Sequence, residues 1–309
     1  MKIFLTGANG MVGRNLLAAP AAHAHQWLAP GHRELDLLDA GATRRYIALH
    51  RPDMIVHAAG RVGGIQANLR APVGFLLDNL DMGRNVLQGA AQAGVPRLLN
   101  LGSSCMYPRD RDTALREEDL LTGELEPSNE GYALAKITVA RLADYINREN
   151  PGLRYKTLIP CNLYGPHDKF DPSHSHMIAA VIHKLHVAKV EGAPSVDIWG
   201  TGEARREFLF VGDLVAAIFK AIGDFEGTPE LLNIGLGRDY TVNEYYRAAA
   251  GVIGYRGGFR HDLGKPTGMR RKLCDTARAT AWGWAPAWSL EQGLRETYDH
   301  YLALRGEQA

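Results

Sequence analysis

Tyr132 and Lys136, four residues apart in the run Tyr132-Ala133-Leu134-Ala135-Lys136, carry the plainest chemistry in this chain. On a helix that spacing puts both side chains on one face. There an ammonium can lower the pKa of a phenol that must trade a proton near neutrality. Upstream, Gly102-Ser103-Ser104-Cys105 follows an apolar run and offers hydroxyls to a substrate oxygen. Downstream, Pro160-Cys161-Asn162-Leu163-Tyr164-Gly165-Pro166 closes another apolar run, in a place where a backbone turn can hold a nicotinamide. Gly7-x-x-Gly10-x-x-Gly13 stands between the apolar stretch Lys2-Ile3-Phe4-Leu5 and the periodic segment Met11, Val12, Leu16, Leu17. That is strand, tight turn and helix, the context a dinucleotide pyrophosphate needs. Each motif has a plainer reading by itself: glycine turns also serve packing, and Tyr-x-x-x-Lys arises on any amphipathic helix with an aromatic on its core face. Together they point to carbonyl reduction or its reverse.

The elements that must position these groups alternate. Met54-Ile55-Val56-His57-Ala58-Ala59, Arg97-Leu98-Leu99-Asn100-Leu101-Gly102 and Tyr155-Lys156-Thr157-Leu158-Ile159-Pro160 read as strands. Helical stretches lie near Gly41 to His50, Val73 to Ala93 and Glu130 to Asn147. This predicts an α/β fold, a Rossmann-type doubly wound parallel sheet with helices on both faces. After Pro166 the pattern changes: His167 to His176 is polar and loop-like, Met177 to Val190 helical, Val196 to Trp199 strand-like and Gly200 to Arg206 loop-like. Phe208 to Val211 and Leu231 to Ile234 are expected to return to the main domain. Thr241-Val242-Asn243-Glu244 and Ser289-Leu290-Glu291-Gln292 have the capping-box pattern that opens a helix. The expected division is residues 1–166, mainly a nucleotide-binding domain with returning segments near 207–236, and residues 167–309, mainly a smaller C-terminal domain built from separated segments.

Composition narrows the class. The 309 residues are 46% hydrophobic and 22% charged, and the formal net charge of +1 gives no electrostatic reason to expect a nucleic-acid partner. The first residues enter a strand at once, so neither a signal peptide nor a membrane span is expected. Cys105, Cys161 and Cys274 are odd in number and widely spaced, which suits neither a disulfide framework nor a zinc site and favours a reducing cytoplasm. His174, His176, His183 and His186 lack the carboxylate partners of a metal centre, and no metal is expected. Arg33 lies twenty residues past Gly13, near the expected end of the second strand, where an acidic residue would take a ribose 2′-hydroxyl. An arginine there accommodates a 2′-phosphate and favours NADP over NAD; the alternative is a surface arginine paired with Glu34 or Asp36.

With these residues in hand, the chain resembles the extended short-chain dehydrogenases and, within them, the GDP-L-fucose synthase family, nearly end to end. The segments that carry the resemblance are Val62-Gly63-Gly64-Ile65, Leu101-Gly102-Ser103-Ser104-Cys105-Met106-Tyr107-Pro108 and Glu126-Pro127-Ser128-Asn129-Glu130-Gly131-Tyr132. Asn162-Leu163-Tyr164-Gly165-Pro166-His167-Asp168, Ser175-His176-Met177, Trp199-Gly200-Thr201-Gly202 and Arg206-Glu207-Phe208-Leu209 follow. The resemblance implies a catalytic serine at Ser103, tyrosine at Tyr132 and lysine at Lys136, with an epimerisation pair at Cys105 and His176. It implies NADP (NADPH) held around Gly7, Asn9, Gly10, Met11, Val12, Gly13, Arg33 and Asp39. Further cofactor contacts fall at Ala58, Ala59, Leu101, Gly102, Lys136, Pro160, Asn162, Leu163 and His176. A GDP-sugar would meet Ser104, Asn162, Lys184, Trp199, Arg206 and Lys272. Three of the implied family positions depart from the pattern: Cys161 replaces a usual threonine, Lys169 a frequent asparagine and Thr267 an occasional aspartate. The helices near Asp78 to Ala93 and Gly131 to Asn147 resemble those that pair between subunits, implying a homodimer.

The chemistry implied is removal of an acidic proton beside the ketone of a GDP-4-keto-6-deoxy sugar, its return to the opposite face, and reduction at carbon 4. GDP-L-fucose synthesis is the leading expectation. The alternatives are a C4-reductase, with or without epimerisation, of another GDP-4-keto sugar such as a colitose or 6-deoxy-heptose precursor, and a non-catalytic NADP-binding sensor. The sensor predicts loss of the catalytic groups, yet Ser103, Tyr132 and Lys136 are all present.

Overall fold

The computed structural model describes residues 1–109, 111–171, 175–265 and 270–307; His174 and Thr267 lie outside them. The chain begins β1 (Lys2–Thr6), α1 (Met11–Ala18), β2 (Gln26–Leu28), α2 (Ala40–His50), β3 (Met54–His57), α3 (Ile65–Arg70) and α4 (Pro72–Gln92). Next come β4 (Arg97–Leu101), α5 (Glu130–Glu149), β5 (Arg154–Pro160), β6 (Asn162–Tyr164), α6 (Met177–Glu191), β7 (Ser195–Trp199) and β8 (Arg205–Arg206). The remainder is β9 (Phe208–Phe210), α7 (Val211–Gly223), β10 (Leu231–Ile234), β11 (Tyr240–Thr241), α8 (Val242–Ile253), β12 (Gly258–Asp262), α9 (Ala277–Ala281) and α10 (Leu290–Arg305).

Six strands form one parallel sheet in the order β10-β5-β4-β3-β1-β2. Both faces are covered, which is why these strands read as unbroken apolar runs. Alternate residues take opposite sides. Ile3, Leu5, Met54, Val56, Leu99 and Leu158 pack with Leu16 of α1, Leu214 and Ile218 of α7 and Ala279 of α9. Phe4, Ile55, Leu98 and Tyr155 pack with Ile47 of α2, Val86 and Leu87 of α4 and Val139 and Ala143 of α5. The strand order reverses between β1 and β3, and in such a sheet the crevice opens at the carboxyl ends of the strands there. A second core joins α6, α8 and α10 to β7 and β9 through Ile182, Leu185, Val196, Ile198, Phe208, Tyr245, Ala249, Leu294 and Tyr298.

Several expectations need correction. β2 ends at Leu28, so Arg33 sits in an exposed turn beyond it and not near a strand end. Pro30 follows closely, and a residue with no N–H cannot extend a ladder. Phe208 to Phe210 pairs with β6 in a separate two-stranded sheet, with Leu209 packed in the main core, and β10 lies beside β5. Arg205 and Arg206 are not loop but pair antiparallel with β11. The short α3 was not signalled by the sequence pattern. Both capping boxes form: Thr241 with Glu244, and Ser289 with Gln292.

The α4–α5 contact depends on having no side chain at Gly83. A Cβ there would lie 2.9 Å from Val139 Cγ1 and overlap Val139 Cγ2. Gly83→Val should cost the roughly 1–3 kcal/mol of overpacking. Val139→Ala in the same chain should recover part of that loss, as read by urea unfolding; equal stabilities for Gly83→Val and the parent would refute the contact's importance.

Candidate active site

The crevice at the β1/β3 switch point is a cleft of about 1530 Å³ between the two cores. At its sheet end the β1–α1 turn comes close to the strand exits. Gly7 has φ +72°, and a Cβ on it would lie 2.7 Å from Ala59 N and 2.8 Å from the Ala58 carbonyl. A Cβ on Gly13 would strike the Gly7 carbonyl and lie 2.6 Å from Ala8 Cα, so Gly13 serves the packing beneath the turn. Gly10 caps α1 without a side-chain hydrogen bond, which leaves the first N–H groups of the helix for an anion. Small residues where a pyrophosphate must approach, and an uncapped helix start aimed along the cleft, fit a dinucleotide.

Below this turn, Thr6 Oγ1 accepts from Ala59 N (3.1 Å) and bonds His57 Nδ1 (2.8 Å). Burial, with the nearby Lys136 charge, pushes His57 down to about 3, so it is a neutral structural group. Lys136 Nζ donates to the Leu101 carbonyl at the end of β4 (2.8 Å), and burial lowers the ammonium to about 8. It lies 5.8 Å from the Tyr132 ring centroid. The expected lowering of the phenol by this lysine is not what the free site shows. Burial pushes Tyr132 well up, the nearby Cys105 adds to that, and a hydrogen bond with Ser103 opposes it.

Ser103 is the hinge of this wall. It caps the 3₁₀ turn Ser104–Met106, where its Oγ accepts from Cys105 N (3.2 Å), and the same side chain stands beside Tyr132, whose phenol it favours ionising. Cys105 Sγ in turn accepts from Asn129 Nδ2 (3.1 Å). Serine, tyrosine and cysteine are thereby linked across a single wall. His176 reaches the cleft from the start of α6, where its side chain makes no capping bond. Near it lies Asp168, whose carboxyl burial raises and the His176 charge lowers; its Oδ2 is buried with no partner.

At the far end, Lys184 Nζ donates to the Asp197 carbonyl (2.8 Å) and Arg206 Nη1 to the Arg205 carbonyl (2.8 Å). Burial lowers both cations, with Asp197 opposing it at Lys184 and Glu126 at Arg206. Half of Trp199 is exposed (50%), and Lys265 Nζ stands 5.8 Å from its ring centroid. That is an aromatic platform with a cation beside it, suited to a stacked base.

The structure brings most of the anticipated residues together. Gly7, Asn9, Gly10, Met11, Val12, Ala58, Ala59, Leu101, Gly102, Pro160, Asn162 and Leu163 line the cleft with Ser103, Cys105, Tyr132, Lys136, His176, Lys184, Trp199 and Arg206. Arg33, Asp39, Ser104 and Lys272 do not line it. Asp39 caps α2 by accepting from Ala42 N (2.8 Å), and Ser104 is buried in its turn. Lys272 acts on the buried thiols Cys161 and Cys274. Asn129, Asp168 and Lys265 were assigned no role from sequence. Asn129 stands within a distinctive segment, but nothing in it signals a contact to a cysteine 24 residues away. Among the described residues no cluster of His, Cys, Asp and Glu suits a metal, and no helix is long and apolar enough to cross a membrane.

Residues 3–235 match the NAD dependent epimerase/dehydratase family. A GDP-L-colitose synthase from Yersinia pseudotuberculosis is 52% identical over 98% of this chain and 98% of its own. A GDP-L-fucose synthase from Azorhizobium caulinodans is 48% identical over 97% of this chain and 96% of its own. Among solved structures, a GDP-mannoheptose C4 reductase from Campylobacter jejuni with NADP bound superposes with a TM-score of 0.87 at 28% identity, covering 97% of this chain and 98% of that one. The chain belongs to the NAD dependent epimerase/dehydratase family, in its GDP-L-fucose synthase branch.

The three thiols differ sharply. Burial pushes Cys161 and Cys274 far above the ordinary thiol range, with Glu207 adding to it, whereas Cys105 is only half-buried at the cleft wall. Iodoacetamide at pH 7 should therefore alkylate Cys105 at least about tenfold faster than either other thiol. Peptide mass spectrometry over a time course checks this, and comparable labelling of all three would contradict the placement.

Proposed function

We propose that this chain catalyses NADPH-dependent reduction at carbon 4 of a GDP-4-keto-6-deoxy sugar, coupled to epimerisation beside the ketone. The observation that carries the reading is the single wall on which Ser103 Oγ accepts from the Cys105 amide and stands beside Tyr132, with His176 on the same cleft. The ketone at carbon 4 makes its neighbouring C–H bonds acidic. The Cys105 thiolate takes such a proton and becomes a thiol, while Ser103 and Tyr132 hold the enolate oxygen. His176 delivers a proton to the opposite face of the same carbon, which inverts it. Bound NADPH supplies hydride to carbon 4. Tyr132 gives its proton to the carbonyl oxygen as the alcohol forms, and the Lys136 ammonium beside it favours the phenolate left behind. Lys184, Arg206 and Trp199 suit the diphosphate and the base of GDP.

NADP is supported by the cofactor in the related C4 reductase and by Arg33, which has no ion pair with Glu34 or Asp36; Asp36 instead faces His32 at 3.8 Å. Arg33 adjoins the cleft-lining His32 and is the proposed partner of the 2′-phosphate. For the sugar, the 52% match favours a colitose-type substrate over the leading expectation of GDP-L-fucose synthesis. Colitose is a 3,6-dideoxyhexose, so its precursor has no stereocentre at carbon 3 and only carbon 5 is inverted.

The assembly proposed is a homodimer through α4 and α5, on whose outer faces Val73, Leu77, Leu134 and Tyr145 are exposed. Sedimentation at micromolar concentration should give twice the chain mass; a monomer would refute it.

The test of the activity is to offer NADPH with GDP-4-keto-3,6-dideoxy-D-mannose and with GDP-4-keto-6-deoxy-D-mannose in deuterated water, following absorbance and the label. The dideoxy sugar should turn over faster and take deuterium at carbon 5. Cys105→Ser should still consume NADPH but incorporate much less label, because its hydroxyl has too high a pKa to take a carbon-bound proton. Tyr132→Phe should lose about 10²–10⁴-fold in turnover. Wild-type reduction with no label at the carbons beside the ketone would leave a simple 4-reductase.

A further inference from the structure

Asn129 stands at the N-cap of α5, a position where asparagine ordinarily bonds the helix N–H groups. Here its side chain makes no capping bond. The amide is turned instead to Cys105, with Nδ2 3.1 Å from Sγ. Its carbonyl Oδ1 is buried and has no partner, so no donor elsewhere holds the amide in this orientation. The residue forgoes two ordinary interactions and keeps one, with a sulfur atom. α5 packs against the 3₁₀ turn that carries Cys105, so the start of a twenty-residue helix adds partial positive charge near the thiol.

We propose that Asn129 is the positioning residue that holds the Cys105 sulfur as a thiolate pointed into the cleft. An N–H donor bonds a thiolate more strongly than a thiol, because the acceptor carries full charge. The contact therefore tightens when the sulfur carries charge, and it holds that sulfur in place on the cleft wall. Ser103 fixes the other side of the same residue through the Cys105 amide, so backbone and sulfur are each held by one polar contact. This inference deepens the proposed function, resting on the reading of Cys105 as base, but its first readout needs no substrate.

That readout is the pH profile of Cys105 alkylation by iodoacetamide in the full chain, followed by peptide mass spectrometry. Asn129→Ala should move the midpoint upward by about one unit, which is about tenfold less thiolate near neutrality. Asn129→Asp has nearly the same shape but sets a carboxylate against the sulfur, and should move the midpoint further than alanine does. A purely structural role predicts the opposite order, with aspartate close to wild type. Unmoved midpoints in both variants, or an aspartate variant matching wild type, would overturn the proposal. Deuterium incorporation beside the ketone is then measured in the same variants. Loss of label together with a raised midpoint supports both ideas. A raised midpoint with full label would keep the thiolate contact and refute Cys105 as the base.

Discussion

The Lys136 ammonium, buried and bonded to the Leu101 carbonyl, ties α5 to the end of β4. A charge removed from water needs a hydrogen-bonding partner, and this one finds it in the last residue of a central strand. One helical turn earlier on the same face stands Tyr132, so the tie also sets where the phenol meets Ser103. Ser103 in turn begins the short turn that presents Cys105. The whole reactive wall hangs from one cation at a strand terminus. The opposing wall, with His176, Lys184 and Trp199, comes from the second core.

Where the sequence pattern was read locally, it served well. Gly7 to Gly13, the runs ending at His57, Leu101 and Pro160, and the Tyr132–Lys136 pair all express geometry within a few residues of themselves: a turn, a strand, one face of a helix. Both capping boxes are of the same kind. What failed depended on the chain meeting itself at a distance. Arg33 was placed by counting from Gly13, and a strand of three residues made the count misleading. Lys272 is a cation in a suitable segment, but it acts on two buried thiols and does not line the cleft. Asn129 looks like a helix cap until the turn carrying Cys105 is folded beside it.

Buried polar groups away from the cleft follow the same logic as Lys136. Lys156, on β5, donates to the carbonyls of Phe225 (2.6 Å), Glu226 (3.2 Å) and Thr228, holding the connection that leads into β10. Glu207 accepts from Gly237 N (2.9 Å) and Cys274 N (2.8 Å), holding the segments that follow β10 and precede α9 against β9. Each is costly to bury and is satisfied by backbone groups of a late segment. Such contacts are specific where apolar packing is not, and they determine how the late part of the chain seats on the early part.

The late strand β10 and helix α7 have a consequence for how this chain can be divided. Leu209, Leu214, Ile218, Ile222, Leu232 and Ile234 belong to the same core as Ile3 and Leu5, although about two-thirds of the chain separates them. A fragment ending near Pro166 would bare an apolar face of the sheet and leave β5 as an unpaired edge, with Lys156 deprived of its carbonyls. Such a fragment has the residues of a nucleotide-binding unit without the means to close its core. For folding, the polypeptide is indivisible, and the dinucleotide turn acquires its rigid footing only after the last third of the chain has been made.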